Sequence, residues 1–293
     1  MLGFVSRMTA TLGLDAAAFV FWRAGVGTVA LVAVSAITAR GFGSRLRDVP
    51  TMPRRYLFAA AVLGALLNVA IFAAFLRTSI AVALICFYTF PALVTIAAVP
   101  LYGDRLDRRR VFALALSSAG LVLVLVAPLI GSAGIAIDPL GVAFALFAAL
   151  CQASFLLLSG RGFRPLTSLD VAVVVIGAAV VVSGAVIALS GDVSRVVLPL
   201  SEPGLWPWIA VSGIFGAAIP TTAFLAGIAR IGPSRTAILM TFEPLVGVCL
   251  AALVLGERPV ALQLVGGAGV LAAAAILQAT PGRAPAEVEA PVV

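Results

Sequence analysis

The sequence predicts an all-α integral membrane protein, an inverted repeat of two five-helix units with nine full spans and a partial first helix. Three observations predict this fold class: the extreme hydropathy, the placement of arginine between apolar runs, and an internal repeat. The chain has 293 residues, of which 62% are hydrophobic and only 11% charged, and its mean hydropathy is +1.19. Soluble domains average roughly 25% charged residues, so no water-soluble core accommodates this composition.

Nine apolar segments reach the length of about 20 residues that a bilayer-spanning helix needs. In order, they are 17–38, 57–76, 80–101, 111–130, 140–159, 171–190, 207–229, 234–255 and 261–279. Ahead of them, residues 1–14 are apolar but short, and Arg7 interrupts them. We expect this stretch to be the second half of a first helix, either kept as a stub or shortened by a misplaced start. If the start is misplaced, we expect about ten more apolar residues to be encoded upstream of Met1.

Arginine marks the orientation of the chain, because positive charge collects in cytoplasmic connections. Fourteen of the nineteen arginines lie in alternate connections and the tail: Arg40, Arg45, Arg47, Arg54, Arg55, Arg105, Arg108, Arg109, Arg110, Arg161, Arg164, Arg230, Arg235 and Arg283. The opposite connections carry only Arg77, Arg195 and Arg258. We therefore expect a multi-pass protein of the bacterial inner membrane with a cytoplasmic C-terminus. Residues 280–293 lack apolar periodicity and predict a disordered cytoplasmic tail.

A repeat relates the two halves of the chain at a gap-free offset of 153 residues, which lays residues 76–106 over 229–259. The coinciding pairs are Arg77 with Arg230, Pro91 with Pro244, Gly103 with Gly256, Asp104 with Glu257, and Arg105 with Arg258. Each unit holds five spans if the partial helix is counted, and an odd number gives the two copies opposite orientations. Inverted repeats are typical of secondary transporters, whose substrate site lies near the midplane between the halves.

Four stretches of the sequence together resemble a known family. They are "FWRAGVG" in the second helix, "SIAVALICFYTFPALVTIAAVPLYGDRL" in the fourth, "GVAFALFAALCQASFLLLSGR" in the sixth, and "TAILMTFEPLVGVCLAALVLGERPVALQLVGG" near the end. The chain resembles the EamA-type ten-helix transporters of the drug/metabolite transporter superfamily. The resemblance implies repeats at 1–130, with an incomplete first helix, and at 139–279. It also implies a secondary transporter that exports amino acids or related small metabolites by alternating access.

Glu243 is the most unusual residue, because it is a carboxylate about ten residues into an apolar span. A charge near the bilayer centre costs about 3 kcal/mol on insertion scales, so we expect Glu243 to face a cavity or a partner. Pro244 removes a backbone hydrogen bond beside it and frees carbonyl oxygens at the same depth. The pair suits a substrate amine or a coupling proton. The alternative is a carboxyl that stays protonated, or pairs with an Arg, purely for packing. Phe90 and Pro91 take the equivalent place in the first half, without the charge.

Arg23 and Arg7 are the candidate counter-charges for Glu243. An Arg at the position of Arg23 is typical of the family that the chain resembles, whereas its nearness to a helix end also permits snorkelling to the membrane surface. Further polar side chains lie on spans that surround the central cavity in such transporters, as the resemblance implies. They are Asn68, Tyr88, Gln152, Ser154, Thr221, Thr222 and Thr241. The alternative for each is hydrogen bonding between helices, and Gln152 stands where many relatives carry Trp.

Several other kinds of site are excluded by the composition. The chain has no His, its three cysteines lie inside apolar runs, and no phosphate-binding G-x-x-x-x-G-K-[ST] motif occurs. We expect no enzyme activity, metal or other cofactor, and we expect a small-molecule substrate and membrane lipid as partners, with no nucleic acid. Two alternatives stay open: a membrane enzyme or lipid-handling protein that uses Glu243, and a non-transporting membrane subunit.

Small residues in "QLVGGAGVLAAAA" at 263–275 let two helix backbones approach closely. Such a segment forms a dimer interface in some membrane proteins. Packing against another helix of the same chain explains the composition equally well. The sequence therefore leaves both a monomer and a homodimer open.

Overall fold

The computed structural model describes residues 13–37, 46–103, 107–127, 130, 137–190, 194–246 and 260–278. Most of the predicted stub, with Arg7, lies outside the described residues, as does the predicted tail at 280–293. The acidic and basic residues of the two repeated hairpin ends, at 104–105 and 257–258, also lie outside them. Within the described ranges, every regular element is helical.

Twelve α-helices are described. They are α1 (Ala16–Ile37), α2 (Thr51–Arg77), α3 (Ile80–Phe87), α4 (Phe90–Tyr102), α5 (Arg108–Val126), α6 (Pro139–Ser159), α7 (Ser168–Ser190), α8 (Ser194–Ser201), α9 (Trp206–Gly213), α10 (Ile219–Ile231), α11 (Pro233–Leu239) and α12 (Ala261–Gln278). A 3₁₀ turn at Pro203–Leu205 precedes α9, and a π-helix at Ile214–Ala218 joins α9 to α10.

Seven helical stretches in the described part of the chain are long and apolar enough to cross a membrane, by length and composition. The predicted all-α membrane fold is therefore confirmed. The predicted span at 57–76 is longer in the structure, since α2 begins at Thr51 and carries Arg54 and Arg55 in its first turns. The sequence prediction began later because it followed the apolar run alone, whereas a helix continues into the polar interface. Pro53 fits this extension, because proline is tolerated in the first turn of a helix.

Two predicted spans are broken by turns. In the first half a turn at residues 88–89 separates α3 from α4. In the second half α11 ends at Leu239, a turn occupies residues 240–241, and helix resumes over 242–246, where the described segment ends. The breaks lie at matching places in the two halves, just before Pro91 and Pro244. This agrees with the kinks that the repeat predicts at the two prolines, which lack the N–H that a continuous helix uses.

The helix boundaries repeat along the chain. The offset of 153 residues carries α1 onto 169–190, which is nearly α7, and it carries α5 onto 261–279, which is nearly α12. Helices α1 and α7 pack extensively against each other, and so do α5 and α12. The two halves are therefore built alike, and equivalent helices meet across the middle of the molecule.

Helices α5 and α12 cross where glycine faces glycine. A Cβ placed on Gly120 would lie 2.5 Å from the carbonyl oxygen of Gly266, and a Cβ placed on Gly266 would lie 2.5 Å from the carbonyl oxygen of Gly120. The two backbones therefore touch, as small residues allow in membrane helix pairs. Packing within the chain accounts for these glycines of the 263–275 segment.

An ion pair joins the end of α2 to the start of α6. Arg77 at the end of α2 donates to Asp138, which precedes α6, at 3.2 Å. Asp138 also caps α6, because its carboxylate accepts a hydrogen bond from the Leu140 N–H at 2.9 Å. That bond, helped by Arg77, lowers the pKa of the Asp138 carboxyl below its ordinary value.

Candidate functional site

Tyr88 and Glu243 meet at the breaks of the two halves. Tyr88 ends α3 and Glu243 follows the turn after α11, so 155 residues of chain separate them. The Tyr88 hydroxyl donates a hydrogen bond to Glu243 Oε2 at 3.3 Å. Glu243 is ten residues beyond Pro233, the first residue of α11, which places it about 15 Å along the helix direction and near the centre of a bilayer.

The two side chains differ in their access to open space. Tyr88 is only 5% exposed and packs against the rings of Phe87 and Phe90, at centroid distances of 5.3 and 5.7 Å. Glu243, by contrast, is an exposed residue. The carboxylate is thus anchored by a buried hydroxyl, on a residue that keeps exposed surface.

The backbone near Glu243 departs from one expectation. A proline at 244 takes away the N–H that the carbonyl of Met240 accepts in a continuous helix. That carbonyl is occupied in the structure, because the Glu243 N–H donates to it at 3.0 Å in the turn. The prediction of a free carbonyl beside Glu243 is wrong for Met240, since a tighter turn replaces the missing bond.

Arg23 is held inside the helix bundle by three acceptors. It is only 5% exposed. Its Nη1 donates to Asn68 Oδ1 at 2.9 Å, and its Nε and Nη2 donate to the carbonyl oxygens of Ser212 and Gly216 at 3.3 and 2.5 Å. The guanidinium also lies over the Phe72 ring, 5.3 Å from its centroid. These contacts exclude snorkelling to the membrane surface.

Arg23 is near enough to Glu243 to interact with it electrostatically. The three hydrogen bonds of Arg23 described above go to Asn68 and to backbone carbonyls, and these acceptors carry no net charge. Asn68 is oriented for this role, because its Nδ2 donates to the Gly64 carbonyl of its own helix at 2.7 Å and leaves Oδ1 for Arg23. The structure thus forms two neighbouring pairs. Arg23 pairs with Asn68, and Tyr88 pairs with Glu243.

Comparison with known proteins agrees with this arrangement. The EamA-like transporter family matches residues 1–126 and, a second time, residues 139–278. The chain belongs to the EamA-like transporter family. The two matches give it the two-repeat architecture of this family, and they coincide with the helical halves described above.

Two known proteins are similar to this chain, one in sequence and one in fold. An uncharacterized transporter of Archaeoglobus fulgidus is 27% identical over 276 residues, which cover 93% of this chain and 90% of that protein. A protein of known crystal structure superposes with a TM-score of 0.70 at 17% sequence identity, covering 94% of this chain and 93% of the other. The second likeness concerns the fold alone.

The other predicted site residues of this EamA-like chain lie at varied depths. Gln152 is buried on α6, and its Nε2 donates to the Met240 sulfur at 3.5 Å, one residue from Thr241. Thr241 is buried and donates back to the Ile238 carbonyl at 2.7 Å, whereas Thr221 is half-buried on α10. Phe90 and Pro91 are buried at the start of α4. Phe90 therefore packs its ring against the ring of Tyr88.

Sequence reasoning did not find three participants: Phe72, Met240 and the carbonyl oxygen of Gly216. Phe72 carries a weak signal, because it lies one helical turn beyond Asn68 and shares its face. Met240 is one of many apolar residues in its segment and carries no signal of its own. The signal for Gly216 is Pro220, four residues later, since proline lacks the N–H that this carbonyl accepts in an α-helix.

Proposed function

We propose that this EamA-like transporter is an inner-membrane secondary transporter that exports amino acids or related small metabolites by alternating access. Glu243 binds the substrate amine or a coupling proton, and Tyr88 orients the carboxylate. The two halves point in opposite directions across the membrane and form the cavity between them. Asn68, Gln152 and Thr221 belong to helices around the same space and contribute polar contacts.

The contact between Tyr88 and Glu243 carries this proposal. It joins the interrupted helix of one half to the interrupted helix of the other, near the bilayer centre. Secondary transporters place substrate sites where discontinuous helices of two repeats meet. A carboxylate that keeps exposed surface at this depth is functional by default, because an intramembrane charge is costly unless it has a partner or a watery cavity.

Counterflow in proteoliposomes tests the proposed function. Vesicles that contain the purified protein are loaded with an excess of one unlabelled amino acid, and a trace of the same labelled compound is added outside. A panel of amino acids and small amines is tried in turn. We expect transient accumulation of label with at least one compound, without its chemical conversion. Protein-free vesicles are the control, and label that is chemically consumed points to an enzyme.

The orientation is a second prediction, and it follows from the arginine distribution. Alkaline phosphatase is active only after export from the cytoplasm, so a fusion after Val293 is expected to be inactive. A fusion after Leu189, at the C-terminal end of α7, is expected to be active, because this end of α7 faces away from the cytoplasm in the predicted orientation. Enzyme assays on whole cells compare the two fusions. High activity of the C-terminal fusion contradicts both the orientation and the inverted arrangement of the halves.

A further inference from the structure

The segment from α9 to α10 contains a backbone acceptor whose α-helical donor is missing. Pro220 has no N–H, so the carbonyl of Gly216 lacks the donor that an α-helix supplies four residues later. The same stretch is wound as a π-helix, Ile214–Ala218, and the Ile219 N–H donates to the carbonyl of Ile214, five residues earlier. Inside a membrane a carbonyl without a donor is costly, because lipid offers no donor to replace the missing one.

Arg23 reaches this interruption from another helix. Its Nη2 donates to the Gly216 carbonyl at 2.5 Å and its Nε to the Ser212 carbonyl at 3.3 Å. The approach depends on small residues, because a Cβ on Gly213 would lie 2.8 Å from the carbonyl oxygen of Arg23. A Cβ on Gly27 would likewise lie 3.0 Å from the carbonyl oxygen of Gly213. Helices α1 and α9 are therefore in backbone contact where the guanidinium crosses.

The remaining contacts of Arg23 connect a third helix to the same place. Asn68 and Phe72, one turn apart on α2, supply a hydrogen bond to Nη1 and an aromatic face for the guanidinium. One side chain thus joins α1, α2 and the interruption between α9 and α10. The planar guanidinium suits this task, because its donors are fixed in directions that one ammonium group cannot reproduce.

We propose that Arg23 is a positioning residue: it supplies the hydrogen-bond donor that Pro220 removes and so holds the interrupted helix against α1 and α2. The inference concerns the shape of the helix and does not depend on the transported compound. It differs from a role as counter-charge to Glu243, for which any cation at this place suffices. It also explains why a buried charge is kept beside a proline and a π-helix.

Four variants in nanodiscs test this proposal by hydrogen–deuterium exchange of the amides at 214–219. Arg23→Met removes the side-chain donor from the carbonyls of Ser212 and Gly216, and we expect exchange about tenfold faster than in the wild type. Pro220→Ala returns a backbone N–H to Gly216. In that background we expect Arg23→Met to change exchange by less than about threefold, which is the non-additivity of a shared interaction. Arg23→Lys keeps the charge and is expected to resemble Arg23→Met.

Pro207→Ala is the matched control, because Pro207 lies in the first turn of α9, where a missing N–H leaves no acceptor unpaired. In that background the tenfold effect of Arg23→Met is expected to remain. The proposal is overturned if Arg23→Met speeds exchange equally in the wild-type background and in the Pro220→Ala background. It is also overturned if the Arg23→Lys variant exchanges at the wild-type rate. If Arg23→Met does not accumulate in the membrane, Arg23→Gln is compared in the same three backgrounds.

Discussion

We expect transport to fall by about tenfold or more when Glu243 is replaced by Gln, while the protein still folds. Gln keeps the size of the side chain and an acceptor oxygen for Tyr88, but it removes the charge that holds an amine or takes up a proton. A tenfold loss corresponds to about 1.4 kcal/mol of the interaction. The measurement is the initial rate of counterflow at equal amounts of reconstituted protein. Equal thermal unfolding of both proteins shows that folding is preserved.

Two control variants sharpen this result. Glu202→Gln removes a charge at an exposed position ahead of α9, and transport is expected to remain at the wild-type rate. Tyr88→Phe removes the hydroxyl that donates to Glu243 but keeps the ring between Phe87 and Phe90, so we expect a smaller loss than for Glu243→Gln. Wild-type transport by Glu243→Gln across the pH range would make Glu243 a packing residue.

The crossing of α5 and α12 is expected to be intolerant of a single methyl group. In Gly120→Ala the new Cβ lies 2.5 Å from the carbonyl oxygen of Gly266, and in Gly266→Ala it lies 2.5 Å from that of Gly120. Real Cβ atoms do not approach a backbone oxygen this closely, so the helices must separate and lose contacts along their length. We expect each variant to lower the free energy of unfolding by about 1–3 kcal/mol, the cost of an overpacked interior.

Gly177→Ala is the matched control for this crossing. Gly177 also lies inside a helix, but a Cβ there meets Thr28 at 3.9 Å, an ordinary van der Waals distance. Because alanine is the better helix former, this variant is expected to unfold at or above the wild-type temperature. Thermal unfolding of the three variants in one detergent makes the comparison. Unchanged midpoints for both Gly120→Ala and Gly266→Ala contradict a backbone contact between α5 and α12.

Much of the architecture follows from local properties of the sequence. Hydropathy alone gave a membrane fold and most helix positions, because a span needs only a sufficient length of apolar residues. The repeat offset located the interruptions near Pro91 and Pro244, since proline disturbs a helix wherever it occurs in the interior. Glu243 was identifiable for the same reason, as a single carboxylate whose cost depends on its depth. The π-helix at Ile214–Ala218 was missed, because its apolar run is continuous.

The sequence by itself thus determined the membrane environment, the two-repeat architecture and the identity of the unusual polar residues. Only the tertiary structure decided their partners: Tyr88 for Glu243, two backbone carbonyls and Asn68 for Arg23, and Gly120 for Gly266. These pairs are far apart in the chain, and they depend on how each helix is rotated and where it crosses its neighbours. Hydropathy does not encode rotation in a membrane, because lipid and protein interior are similarly apolar, so packing and hydrogen bonding set it instead.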